Sequence, residues 1–177
     1  MAAIAHMIQS NAGAAAILHR HGAHAATDVT GFGLIGHLVE MVRGADVDVA
    51  LAIDRVPLLD GARESVARGI FSSLQPQNVR LRRAIRDLET AGRHPLYPLL
   101  FDPQTAGGLL ASVPAARAAA CVADLRHAGY AEAAIIGQVK RRSEHLEPIE
   151  IVAGGDVLAF AAGKATAEPA VEPESVP

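Results

Sequence analysis

Tryptophan is missing from this 177-residue sequence, and only four phenylalanines and two tyrosines are present. An interior with so few large rings must depend on close backbone packing, because alanine and valine, which supply much of the apolar half, bury little area each. A single cysteine, Cys121, excludes an internal disulfide framework and suits a reducing compartment. Positive charge is not in excess either: the formal net charge is −3. No basic stripe is interleaved with aromatic residues, so the footprint expected of a nucleic-acid binder is missing. The one basic run, Lys140-Arg141-Arg142, follows a strand-like segment and reads as a solvated turn. No apolar stretch reaches the length of a membrane span. In the Ala-rich beginning, His19, Arg20 and His21 come after the apolar residues, the reverse of a secretory signal. These features predict a cytoplasmic protein with no nucleic-acid and no membrane partner.

The length suits one domain with a genuine core. From about Lys164 the composition turns to Pro, Glu, Ala and Ser, as in KATAEPAVEPESVP, which cannot bury enough apolar area to offset its conformational entropy. The expected organisation is a domain over 1–163 and a disordered tail or linker over 164–177. Within the domain, residues 2–21 read as a helix closed by Gly22, 23–27 as a strand, and 33–43 as a helix closed by Gly44. The alternation over 47–54 predicts a strand with one polar or small face, formed by Asp48, Ala50, Ala52 and Asp54. A short helix over 62–68 precedes a polar, basic segment, 71–93, that is partly helical and hard to place. Strands follow at 109–113, 133–139 and 149–152. Between the first two of these lies a helix that begins at Pro114 and ends at Gly129. It sets Ala118, Cys121, Val122 and Leu125 on one face, which makes Cys121 a buried, inert thiol. Strands alternating with helices predict an α+β domain of mixed layers.

Two segments could carry chemistry. The first is HAATDVTGFGLIGHL, residues 24–38, where a strand delivers Asp28 to a glycine-containing turn and a helix opens behind it. A helix N-terminus with glycines lets a phosphate approach the backbone, and a carboxylate there could hold a hard divalent cation. The alternative is that Asp28 caps the turn or helix and the glycines only permit positive φ. On the helix, Gly33, Gly36, His37 and Glu40 share one face. That glycine-lined face could pack against a strand or a partner, and His37 with Glu40 could form a hydrogen-bond pair or ligate a metal. The second segment is LLFDPQTAGGLL, residues 99–110, in which Asp102 must be extended before Pro103. It could contact a phosphate or a partner, or could be a plain turn. The other histidines of the first 37 residues, His6, His19, His21 and His24, show no zinc-ligand pattern.

HAATDVTGFGLIGHLVEM and LFDPQTAGGLLASVP, in this order, resemble the C-terminal domain of selenide, water dikinases (selenophosphate synthetases). MIQSNAGAAAILHRHG, DRVPLLDGA and AAIIGQV support the resemblance, which covers most of residues 7–140. It implies the C-terminal domain of the aminoimidazole ribonucleotide synthetase-like fold, a β-sheet covered by helices. It further implies synthesis of selenophosphate from selenide and ATP, with release of AMP and orthophosphate and a requirement for Mg2+. By the same resemblance Asp28 is a magnesium ligand, and Thr27, Thr30, Gly31 and Gly33 line the nucleotide site; Asp102, Gln104 and Thr105 match a signature without an assigned role. The family's nucleophile segment with its Cys or selenocysteine and Lys, most of its ATP site and its homodimer core lie in an N-terminal half that these residues do not resemble. No catalytic residue is therefore expected within the chain, and its partner would be that half, covalently joined or in trans. The alternative is a non-catalytic module that docks a full-length dikinase through the glycine-lined face.

Overall fold

The structure is a computed structural model that describes residues 2–154. The expected tail over 164–177, and the domain boundary before it, lie outside these described residues. The elements are α1 (Ala2–Met7), α2 (Ala12–Arg20), β1 (Ala25–Asp28), α3 (Gly33–Arg43), β2 (Val47–Ala52), α4 (Ala62–Ala67), α5 (Gln75–Asn78), α6 (Leu88–Gly92), β3 (Leu109–Ser112), α7 (Ala115–His127), β4 (Gly137–Arg141) and β5 (Ile149–Val152). Short 3-10 turns occupy Ile53–Arg55, Val79–Ala84 and Tyr97–Phe101. This is the expected α+β arrangement, with two small sheets.

In one sheet β1 and β3 run antiparallel, with Asp28 opposite Leu109 and Ala25 opposite Ser112. In the other the order is β4-β2-β5, β2 being antiparallel to β4 and parallel to β5. A two-stranded ribbon is marginal by itself and needs packing against helices. Here α2 and α7 supply it: Ile17, Leu18 and Cys121 form a buried cluster against Leu109, Ala111 and Val113. The larger core joins Ile35, Leu38, Val39 and Val42 of α3 to Val49 and Leu51 of β2, with Ile53, Ile85, Leu96, Leu100, Phe101 and Ile149. Phe101 is its one fully buried ring, so small and branched side chains do most of the packing, as the composition demands.

Several expectations are corrected. The helix expected over 2–21 is broken at Ser10–Asn11, because polar side chains there compete with the helical ladder. The Ala12 N–H donates to Ser10 Oγ at 3.2 Å, the Tyr130 hydroxyl donates to the Ser10 carbonyl at 2.8 Å, and Asn11 turns its amide elsewhere. The strand expected over 133–139 begins only at Gly137, where the backbones of β2 and β4 come so close that a Cβ would strike the Ala50 carbonyl oxygen. Residues 133–136 are a half-buried connection instead, and the Ile136 carbonyl accepts from Ala52 N–H at 2.8 Å. On α3 the buried face extends to Ile35 and Val39, beyond the face expected from the sequence.

The basic run is not a solvated turn. Lys140 and Arg141 belong to β4, and Lys140 Nζ reaches Glu150 of β5 at 3.0 Å. Arg142 joins Arg86 on Asp48, a residue of β2 only 2% exposed. The two guanidinium groups donate to the Asp48 carboxylate at 2.5 Å each, and Ser143 N–H donates at 2.8 Å. Asp48, Ala50 and Ala52 of the face read as polar or small are buried, and the Asp48 carboxylate ties β2 to the β4–β5 connection; Asp54, expected on the same face, lies exposed in the turn after the strand. Burial by itself would raise the Asp48 pKa, but the hydrogen bonds from Ser143, Arg86 and Arg142 outweigh it and hold the group well below the usual carboxylate range.

A carboxylate depressed in the folded state contributes stability that is complete above its unfolded pKa of about 3.9 and is lost as pH falls below that value. Asp48→Asn should remove the buried carboxylate that two arginines share and cost about 3 kcal/mol in urea unfolding at neutral pH. The variant should also lose less stability than the parent between pH 6 and pH 3. Equal losses would show that Asp48 does not carry the acid sensitivity.

Candidate functional site

The two motif segments meet. From Asp28 the chain leaves β1 through Val29, Thr30, Gly31 and Phe32 into α3, and the loop 102–108 leads into β3 beside it. Val29 N–H donates to the Gly108 carbonyl at 2.9 Å, and Gln104 N–H donates to the Thr30 carbonyl at 3.0 Å. The loops touch backbone to backbone, which glycine makes possible. A Cβ on Gly107 would overlap the Val29 carbonyl oxygen, and one on Gly33 would lie 2.8 Å from the Phe101 carbonyl carbon. Gly33 also sits at φ +69°, a conformation that favours glycine.

Side chains from elsewhere pin these loops. Asn11 Nδ2 donates to the Gly107 carbonyl at 3.0 Å. Asn78 Nδ2 donates to the Gly31 carbonyl at 2.8 Å and to the Phe101 carbonyl at 3.0 Å. His37 is buried and its Nε2 accepts the Thr30 N–H at 3.0 Å, which places the neutral ring's proton on Nδ1. That Nδ1 lies 3.2 Å from a Glu40 carboxylate oxygen, an ion-pair distance without hydrogen-bond alignment. His37 and Glu40 are therefore neighbours without the hydrogen bond expected of them, and His37 is turned inward to hold the loop. Asn11 and Asn78 were not singled out from sequence. Their only signal was a polar amide beside an apolar run, which burial alone distinguishes from a surface residue.

Of the residues expected to form the site, Asp28, Thr30, Gly31 and Gly33 lie together on this loop, and Thr27 precedes them with its hydroxyl donating to the Asp28 carbonyl at 3.1 Å. Asp28 is exposed at the end of β1, and among the described residues no side chain or N–H bonds to its carboxylate. It does not cap α3, whose N-cap is Phe32 without a side-chain cap. The capping alternative therefore falls. An exposed, unpartnered carboxylate suits a hard cation that keeps several waters. Among the described residues no group of three His, Cys, Asp or Glu side chains converges, so they form no closed metal site.

Asp102 has a different environment. It is half-buried, burial raises its pKa, and a hydrogen bond from Gln104 Nε2 at 3.0 Å partly offsets that rise. Thr105 is exposed beside it. Burial also raises the Cys121 pKa, with Asp124 adding to the effect, so the thiol is poorly ionised and inert as expected. His21 bonds Asp124 at 2.8 Å, away from the loops. The glycine face of α3 is already filled: a Cβ on Gly36 would meet Phe32 and Leu81. The docking alternative loses the surface on which it was based.

The glycine contacts give a paired prediction. Gly107→Ala should destabilise the fold by about 2 kcal/mol, since a carbonyl oxygen occupies the new methyl's position. Gly108→Ala, with open space at its Cβ position, should change urea stability by less than about 0.5 kcal/mol. Equal costs at the two positions would contradict the close loop approach.

Comparison with known proteins agrees with this geometry. The family model described as AIR synthase related protein, C-terminal domain, matches residues 2–147. A selenide, water dikinase from Clostridioides difficile (strain 630) is 36% identical over 140 residues, covering 78% of this chain and 40% of the relative. One from Geobacter metallireducens is 44% identical over 108 residues, covering 61% of this chain and 31% of the relative. One from Pelobacter propionicus is 36% identical over 147 residues, covering 83% and 41%. The chain thus spans well under half the length of these relatives. With both motif loops inside the matched region, the chain belongs to the AIR synthase related family, as the C-terminal domain found in selenide, water dikinases.

Proposed function

We propose that this chain is the C-terminal part of an enzyme that makes selenophosphate from selenide and ATP, releasing AMP and orthophosphate. The observation that carries this reading is Asp28, exposed and without a partner among the described residues, at the mouth of a loop pair built from both family motifs. When bound, magnesium would neutralise charge on the transferring phosphates. Asp28 supplies one oxygen ligand to it. Thr30 and the glycines of the turn leave the opening of α3 accessible to a phosphate, the favourable site for an anion at a helix N-terminus. Thr27, Thr30, Gly31 and Gly33 line the nucleotide in this reading.

Phosphoryl transfer depends on positioning and on several charge-neutralising contacts acting together. One carboxylate and one helix terminus are a part of that set. The 177 residues alone should therefore turn over ATP very slowly, and activity should require the N-terminal half of a dikinase, joined covalently or supplied in trans. The full enzyme would work as a homodimer with ATP and selenide as substrates.

Asp28→Asn, in a protein that carries both halves, should lower selenide-dependent AMP formation by a hundredfold or more, as expected when several kcal/mol of metal-borne stabilisation is removed. Its urea stability should stay within about 0.5 kcal/mol of the parent, because the side chain is exposed and unpartnered. Retained turnover in that variant would remove the role assigned to Asp28.

A further inference from the structure

Four polar side chains are buried among the described residues: His37, Asp48, Gln75 and Asn78. Asp48 serves the three-stranded sheet. The other three all end on the backbone of the motif loops or of the turn leading into the second one. His37 holds Thr30, and Gln75 Nε2 donates to the Pro98 carbonyl at 2.7 Å. Asn78 bonds both loops at once, through Gly31 in the first and Phe101 in the residue before Asp102. Buried amides are costly unless satisfied, and apolar residues would fill the same space at less risk. Placing three of four such groups on one pair of loops fixes geometry at that place. Asn78 alone bridges the two.

We propose that Asn78 is a positioning residue of this site: its amide sets the loop carrying Asp28 against the loop carrying Asp102 and Gln104, and so fixes where the Asp28 carboxylate stands relative to the opening of α3. No side chain of either loop makes this connection. The backbone bond from Gln104 N–H to Thr30 and the glycine contact at Val29 hold the loops in touch. The Asn78 amide adds a further tie, joining the Gly31 carbonyl of the first loop to the Phe101 carbonyl at the entry to the second. The sequence around it, SLQPQNVR, shows no motif of its own, and the short α5 exists to bring Gln75 and Asn78 inward. The role in turnover rests on the dikinase reading above; the structural role does not.

The test is Asn78→Leu, which keeps the branched shape and heavy-atom count but has no donors, followed by amide hydrogen exchange on the 177-residue chain. The amides of Val29, Thr30, Gly33 and Gln104 should exchange about tenfold faster, as befits the loss of two hydrogen bonds at one point. Those of Val49 and Ala52, in the other sheet, should be unchanged. Unchanged loop exchange, or a uniform increase through both sheets, would overturn the proposal. Should the leucine variant fail to fold, Asn78→Ala, which leaves room for water at the two carbonyls, is measured in the same way; unfolding of both variants would also overturn it, since Asn78 would then support the whole domain. In a protein carrying both halves, Asn78→Leu should lower kcat for AMP formation about tenfold while KM for ATP moves by less than about twofold. An unchanged kcat would refute the positioning role. If the unsubstituted protein with both halves formed no AMP from ATP and selenide, the dikinase reading would fail, and hydrogen exchange would still decide the role of Asn78.

Discussion

A carbonyl oxygen of Val29 occupies the space that any side chain at position 107 would need. This single steric constraint governs the site. It lets the two motif loops lie backbone to backbone, so Val29 N–H can reach Gly108 and Gln104 N–H can reach Thr30. It continues the β1–β3 pairing past its last rung, where Asp28 faces Leu109. Register in a sheet is a two-state matter, because a slip of one residue reverses every side chain. A slip here would bury Asp28 or turn it away from the opening of α3. Gly107 and the loop bonds prevent such a slip in a ribbon of only two strands.

The rest of the molecule supports that ribbon without taking part in it. α2 and α7 cover it with a small cluster around Ile17, Leu18 and Cys121. α3 lies between the ribbon and the three-stranded sheet, and its side chains Ile35, Leu38, Val39 and Val42 carry the main core. The sheet beyond has its own polar fastening, Asp48 with Arg86, Arg142 and Ser143. Because that cluster is remote from the loops, losses there and losses at the glycine junction should add independently.

The sequence was most informative where periodicity ruled. α3 was expected over 33–43 and spans Gly33–Arg43, and the α7 face around Cys121 also follows its pattern; β2 ends at Ala52, short of the expected 47–54, and is buried on both faces. The family motifs placed Asp28, Thr30, Gly31 and Gly33 on one loop, although their roles in binding still depend on the dikinase reading. What could not be read was set by partners distant in the chain. Ser10 and Asn11 break a helix that alanine would otherwise continue, because Tyr130 and Gly107 need them. Residues 71–93 looked featureless since the value of Gln75 and Asn78 lies in carbonyls of Pro98, Gly31 and Phe101. Lys140–Arg142 seemed a solvated turn because its acceptors sit on other strands, Asp48 on the adjacent β2 and Glu150 on β5 beyond it.

Three aspartates show how environment assigns chemistry to one residue type. Asp48 is buried with two arginines and kept ionised well into acid, so its charge is fully committed to structure. Asp102 is half-buried with one neutral donor; its pKa is raised, and its carboxylate is engaged by Gln104. Asp28 is exposed and bonded to none of the described residues. A cation competing for Asp48 would have to displace two guanidinium groups, and one at Asp102 would have to break the hydrogen bond that orients the second loop. Of these three, only Asp28 has no bond to the described residues that an incoming cation would have to break. That carboxylate stands at the end of a strand whose register is fixed by a missing methyl group.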